Sequence, residues 1–301
     1  MDAGLFYKEK RRIKDESNDQ GRNKYMGLRI STNVAALNAR RLLGNSTQAQ
    51  QNSLERLSSG SRINKSGDDA AGLAISENLR AQIRGLRQAK RNANDGISLV
   101  QVTEGGLNEV SNILIRLREL AVQAASDTIG DTERAFTDRE FQSLKQEVQR
   151  ISETTNFNGI PLLAGREQPI DIQIGVQNTS NDRLSYDTAF ANVGTGALGI
   201  EMDSVMNKKG AQESLARIDK GMKHVSEVRS TLGAMQNRLQ STVNNLSIYD
   251  ENLSTANSRI RDADIAEESS ELMKQNILQQ SGVSVLSQAN SSQQLALKLL
   301  S

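Results

Sequence analysis

Neither cysteine nor tryptophan occurs in the 301 residues, histidine occurs once, and proline twice. Without cysteine there is no disulfide framework, no thiolate metal site and no thiol nucleophile. That also suits a protein that leaves the cell and must not cross-link. The one histidine, His224, rules out the usual histidine-based zinc motif and has no nucleophilic or charged partner near it in sequence. Aromatic residues make up only 3%, whereas compact cores draw much of their burial from large rings. Pro161 and Pro169 both sit mid-chain, so the flanks are free to run as long helices. No apolar run approaches the length of a membrane span, and the charged start from Met1 to Gln20 carries no cleavable signal. The net charge of +1 is nearly balanced, with 30 basic and 31 acidic residues over 26–301, so no basic face for nucleic acid is expected.

What the chain does have is periodicity. Leu79, Leu86, Ala93, Val100, Leu107, Leu114 and Ala121 recur at strict seven-residue spacing, as do Ile218, Val225, Leu232, Leu239, Leu246, Leu253 and Ile260. A strict seven-residue repeat is the pattern of helices that wrap one another. Each stripe is about 63 Å long at helical rise, and equal length suggests that the two are partners. Burial of fourteen stripe residues falls well short of the backbone entropy lost in fixing two such helices. Neighbouring molecules are the natural source of the missing burial.

Between and beyond the stripes the pattern changes. Residues 1–25 are polar without a period and read as a disordered extension or an upstream translation start. Ile30, Val34 and Leu37 fall at helical spacing, with Leu54 and Leu57 later. Asp68 or Asp69 is the expected N-cap of the helix that carries the first stripe. Gly105-Gly106 predicts a break or kink inside that helix. A turn around Gly130 precedes a third helical segment with Phe141, Leu144, Val148 and Ile151 on one face. Ile170, Ile172, Ile174 and Val176 alternate with polar residues or glycine and predict a half-buried strand, returning over Leu184 to Phe190. A final amphipathic helix is expected from about Ile265 to Leu300.

The apparent chemical motifs are weak. Gly194, Gly196 and Gly199 fit a dinucleotide-loop spacing, but no second parallel strand follows, and a flexible loop is the better reading. Asp262, Asp264, Glu267 and Glu268 match no calcium loop and are better placed to cap the last helix. No catalytic set, cofactor site or metal site is predicted.

Specific strings carry a resemblance. Leu57-Ser58-Ser59-Gly60, Arg62-Ile63-Asn64, Asp68-Asp69-Ala70-Ala71-Gly72, Arg91-Asn92-Ala93-Asn94-Asp95-Gly96-Ile97-Ser98, Thr103-Glu104-Gly105, Arg118-Glu119-Leu120-Ala121-Val122-Gln123 and Phe157-Asn158-Gly159 occur in order. Later come Leu232-Gly233-Ala234, Gln236-Asn237-Arg238, Ser258-Arg259-Ile260, Ile277-Leu278-Gln279-Gln280 and Ser287-Gln288-Ala289-Asn290. Together they resemble the N- and C-terminal halves of bacterial flagellins over residues 26–301.

The resemblance implies a mainly α fold: long heptad helices from both chain ends forming a coiled-coil rod, with a small β-hairpin region at 161–205. It implies a filament-core domain from 27–67 plus 265–301 and a rod domain over 68–264. The short stretch between Ile160 and Gln212 implies that large outer domains are absent. The expected function is a secreted structural subunit of the flagellar filament, not an enzyme, exported by the flagellar type III apparatus. A hook–filament junction protein and a soluble coiled-coil adaptor are the alternatives. Expected partners are other flagellin subunits, the flagellar cap, hook-associated proteins, an export chaperone and a Toll-like receptor. Assembly is expected through Ile30, Val34, Leu37, Leu295, Leu299 and Leu300, and receptor recognition through Arg116, Leu120, Gln123 and Glu140, as solvated residues beside the stripe.

Overall fold

A computed structural model describes residues 32–298. Two compact units divide the chain. One comprises the described residues up to Asp69 and from Arg261, and the other runs from Ala70 to Ile260.

The unit built from both ends pairs two helices, α1 (Val34–Ser59) and α5 (Ile265–Lys298). Each is started by a side chain that satisfies free N–H groups. The Asn33 carboxamide accepts from Ala36 N–H at 2.9 Å, and the Asp264 carboxylate accepts from Ala266 and Glu267 N–H at 2.8 and 3.3 Å. Gly60 stops α1 in the left-handed conformation at φ 67°. The chain then crosses to the α5 side, where Ala263 N–H donates to Gly60 C=O at 3.0 Å and Ser61 bridges to Asp262. The Asp68 carboxylate does not serve a helix start. It accepts from Asn64 and Lys65 N–H, both at 3.0 Å, closing the loop before Asp69.

In the second unit, α2 (Ala70–Ala124) and α4 (Lys208–Arg261) are 55 and 54 residues long. Ion pairs Arg87–Asp250, Glu104–Arg229 and Arg118–Asp219 tie them together antiparallel. The stripe positions from Leu86 to Ala121 and from Ile218 to Leu246 are buried, and those at the outer ends, Leu79, Leu253 and Ile260, are half-buried. The third segment is α3 (Asp131–Thr154), with Phe141 and Val148 fully buried and Leu144 and Ile151 packed against the core. Arg134 fastens its start by donating to Ala124 and Ser126 C=O at 3.0 and 2.9 Å, satisfying carbonyls left open at the end of α2.

The expected break at Gly105-Gly106 does not occur, and α2 runs through it as one helix. The reason lies in packing. A Cβ on Gly106 would stand 2.8 Å from Thr155 Oγ1 and 2.9 Å from Leu163 Cδ1, so the missing side chain is room for the chain crossing over α2. Gly96 does the same for Ile172.

Two short hairpins fill the middle. Strands β1 (Asn156–Phe157) and β2 (Ile160–Pro161) flank Asn158-Gly159, both at positive φ. Strands β3 (Ile170–Gln173) and β4 (Arg183–Tyr186) pair antiparallel, with Ile170 opposite Tyr186 and Ile172 opposite Leu184. Both are shorter than predicted. Ile174 and Gly175 N–H both donate to Asp182 C=O, which ends the ladder. Asp187 then accepts from Ala189 and Phe190 N–H and turns the chain away.

A loop from Gly194 to Met206 returns to α4 and holds two buried charges. The Lys145 ammonium donates to Glu201 and Asp203 C=O at 2.6 and 2.8 Å. The Asp203 carboxylate pairs through Oδ1 with Arg217, while its Oδ2 is buried with no hydrogen-bond partner. Burial pushes the Asp203 carboxyl above its usual range, with Arg217 acting against the shift.

Candidate assembly surface

The seam between α1 and α5 is not made of large apolar residues. On α1 the buried positions are Ala39, Ser46 and Ser53, seven residues apart. Facing them on α5, Glu268, Gln275, Gly282 and Ala289 are also seven apart. Ser46 Oγ lies 2.8 Å from Gln275 Oε1 and 3.2 Å from its C=O. Arg56 pairs with Glu268 at 2.9 Å, Asn33 Nδ2 donates to Ala289 C=O at 2.9 Å, and Gln50 bonds Asn276. Gly282 gives room to Leu43, whose Cδ1 would stand 3.3 Å from a Cβ there. The seam is thus a heptad interface written in small and polar residues. Its signature in the sequence is small residues at seven-residue spacing, not apolar ones.

The large apolar side chains face outward instead. Val34 and Leu37 are 51% and 57% exposed, and at 100° per residue they lie on the side of α1 away from the seam. Ile265, Met273, Ile277, Leu278, Val283 and Val285 are all exposed on α5. Their positions surround the helix everywhere except along the seam. The last helix therefore has no single apolar face, its exposed apolar residues being spread around it among polar ones, and is not amphipathic as its sequence suggested. A groove of about 490 Å³ beside Leu42, Leu278 and Val285 continues this surface. Leu295 lies on α5, while Ile30, Leu299 and Leu300 lie outside the described residues.

On the second unit, Arg116 and Glu140 are brought together across α2 and α3, with Arg116 Nε and Nη2 donating at 2.9 and 2.8 Å. Arg116 also bonds Glu119, and Gln123 is exposed one turn from Leu120. The expectation that Leu120 is solvated is wrong: it is only 2% exposed and belongs to the main core. It lies six residues beyond Leu114 and one before Ala121, within the apolar arc that α2 turns toward α3 and the loops.

The remaining apparent motifs are accounted for by packing. Gly194, Gly196 and Gly199 lie in an irregular loop anchored by Thr195, whose N–H and hydroxyl both donate to Gln149 at 3.0 Å. His224 Nε2 lies 3.2 Å from Asn192 C=O, and its ring stands edge-on to Phe190. Among the described residues no group of three or more histidine and acidic side chains is placed to hold a metal, and no helix is long and apolar enough to cross a membrane.

Residues 30–168 match the family profile described as the bacterial flagellin N-terminal helical region, and residues 215–300 that of the C-terminal helical region. A flagellin of Halalkalibacterium halodurans is 45% identical over 271 residues, which is 90% of this chain and 99% of that protein. The flagellin of Bacillus subtilis is 41% identical, covering 91% of this chain and 100% of its own length. A 31.3 kDa flagellar filament core protein of Treponema maltophilum is 40% identical over 90% of this chain and 99% of its own. A solved structure from Vibrio parahaemolyticus, described as a flagellar hook-associated protein, shares the fold with a TM-score of 0.54 at 15% identity, over 65% of this chain and all of that one.

Proposed function

Because the chain belongs to the bacterial flagellin family and is an extracellular structural subunit of the flagellar filament, we propose that its paired terminal helices are the polymerisation element and its second unit the rod. The observation that carries this is α5, whose large apolar residues stand exposed on several sides in the single chain. Ordering it is favourable only when neighbouring subunits cover it. The polar seam supports the same division of labour, since it fixes how α1 and α5 pair while leaving the apolar sides for other chains. Val34, Leu37 and Leu295, with Ile30, Leu299 and Leu300, are assigned to these contacts. Deleting residues 265–301 should leave a soluble second unit that no longer elongates seeded filaments under electron microscopy. Polymerisation of the truncated chain would sink the assignment.

Export through the type III apparatus, delivery by a chaperone, and addition beneath a cap and onto hook-associated proteins complete this reading. A purely structural role without catalysis belongs to it as well.

The Arg116–Glu140 pair, solvent-facing and flanked by Gln123, favours a second reading: a surface that a Toll-like receptor could grip on the released subunit. Leu120 supports that surface from beneath. The clean test is Arg116→Ala with Glu140→Ala, which leaves the core intact. Unchanged receptor signalling would refute it.

A further inference from the structure

Sulfur occurs in this chain only as thioether: there are seven methionines and no cysteine. A mild oxidant that would ordinarily meet a thiolate first is left with methionine as its sulfur target. The methionines among the described residues stand in different surroundings. Met235 is buried, and Met222 packs against the main core. Met202 and Met206, in the loop that returns to α4, are exposed. Met273 is 66% exposed, and it lies on α5, the helix assigned above to polymerisation.

Met273 occupies the side of α5 that α1 cannot reach. Gln275 is buried in the seam with α1. At 100° per residue, Met273 and Ile277 each lie about 160° round the helix from Gln275, one on either side of the line opposite the seam. The charged neighbours Glu271 and Lys274 bond each other at 3.0 Å. In the free subunit the sulfur therefore stands in water, where an added oxygen is hydrated and the α1–α5 pairing is untouched. Against a neighbouring subunit the same oxygen must shed that water beside the aliphatic Ile277, which offers it no donor.

We propose that Met273 is an oxidative modification site of the free subunit, at which a hydroperoxide turns the thioether into a sulfoxide and withholds that subunit from the filament. The sulfur lone pair attacks one peroxide oxygen and the O–O bond breaks. The second oxygen leaves as hydroxide and takes the proton released from the first, giving water. Sulfur is oxidised by two electrons and the peroxide reduced by two. The site's effect rests on the reading of α5 as covered in the filament. The same cover protects Met273 once a subunit is in place, so the modification acts on subunits awaiting addition and spares finished filament. Sulfoxide reductases reverse it.

The test treats free subunits with hydrogen peroxide and follows them by peptide mass spectrometry and by seeded growth. Growth should fall in step with oxygen uptake at Met273, the critical concentration rising about tenfold or more while the subunit's thermal unfolding changes little. Methionine sulfoxide reductases acting on the same subunits should restore growth. The double variant Met202→Leu with Met206→Leu, altered only in the second-unit loop, should stay as sensitive as the native chain. Met273→Leu should keep the critical concentration it had before treatment, and Met273→Ile replaces it if that variant does not elongate. In intact filaments Met273 should take up oxygen about tenfold more slowly than in free subunits, or slower still. Native subunits that elongate normally with Met273 oxidised, or a Met273→Leu chain that loses growth as the native one does, would overturn the modification site and leave the terminal-helix reading standing. Equal oxidation of Met273 in filaments and in free subunits would overturn that reading at this position, and the modification site with it.

Discussion

Four residues show how much a neighbour decides. Gly105 and Gly106 are adjacent in α2, yet a Cβ on Gly105 meets nothing within 4 Å whereas one on Gly106 meets Thr155 and Leu163. Gly105→Ala should therefore stabilise the subunit by up to about 1 kcal/mol through helix propensity. Gly106→Val should destabilise it by about 1–3 kcal/mol through overpacking. Chemical denaturation of the two variants checks both signs. Leu120→Ala should cost about 2–5 kcal/mol, as emptied core positions do, so its effect on any recognition assay reports folding first. Asp203 makes a pH prediction. Its carboxyl is raised in the fold, so its contribution to stability is greatest below the ordinary carboxylate range and is lost as pH rises through the raised value. The stability of Asp203→Asn relative to the native chain should accordingly increase from about pH 4 upward. A difference that stays flat with pH would show that the buried, unpartnered oxygen carries no such penalty.

Among the elements, those that bury large apolar residues at regular spacing were legible from sequence. The stripes marked α2 and α4 as partners, and the Phe141 face marked α3. The β3–β4 pair was legible by alternation, though its length was not, because Asp182 and Asp187 end the ladder through hydrogen bonds that alternation does not encode. The continuity of α2 was hidden because a glycine pair signals a break unless the chain lying on it is known. The seam of α1 with α5 was hidden because its repeat uses serine, glutamine, glycine and alanine. Gln275 is central there, and Gln275→Ala leaves the buried Ser46 hydroxyl without its side-chain partner. That should cost about 1–3 kcal/mol per subunit and lower the temperature at which filaments melt by calorimetry. Gln280→Ala, an exposed change on the same helix, is the control.

For the whole molecule, the ordered strings made the family legible when no catalytic pattern could, since a polymer subunit is recognised by the surfaces it repeats. The candidate surface was legible only in part. The helical spacing of Val34 and Leu37 was legible, while their exposure and that of the apolar residues on α5 needed the paired partner to show which sides were left over. Between Thr154 and Lys208 the chain holds two short hairpins, a single 3-10 turn at Ser180–Asp182 and loops. A filament of these subunits should be thinner than one whose flagellin carries outer domains, as measured by cryo-electron microscopy. The exposed apolar residues of α5, covered by neighbouring subunits as proposed, would also set how such a filament begins. A helix uncovered on several sides gains little from one neighbour and most from several at once. The first few subunits to meet are held weakly, while a subunit arriving at a finished end is covered immediately. On that proposal spontaneous nucleation should be suppressed relative to growth, and the chain should stay unpolymerised at high concentration until an end is supplied.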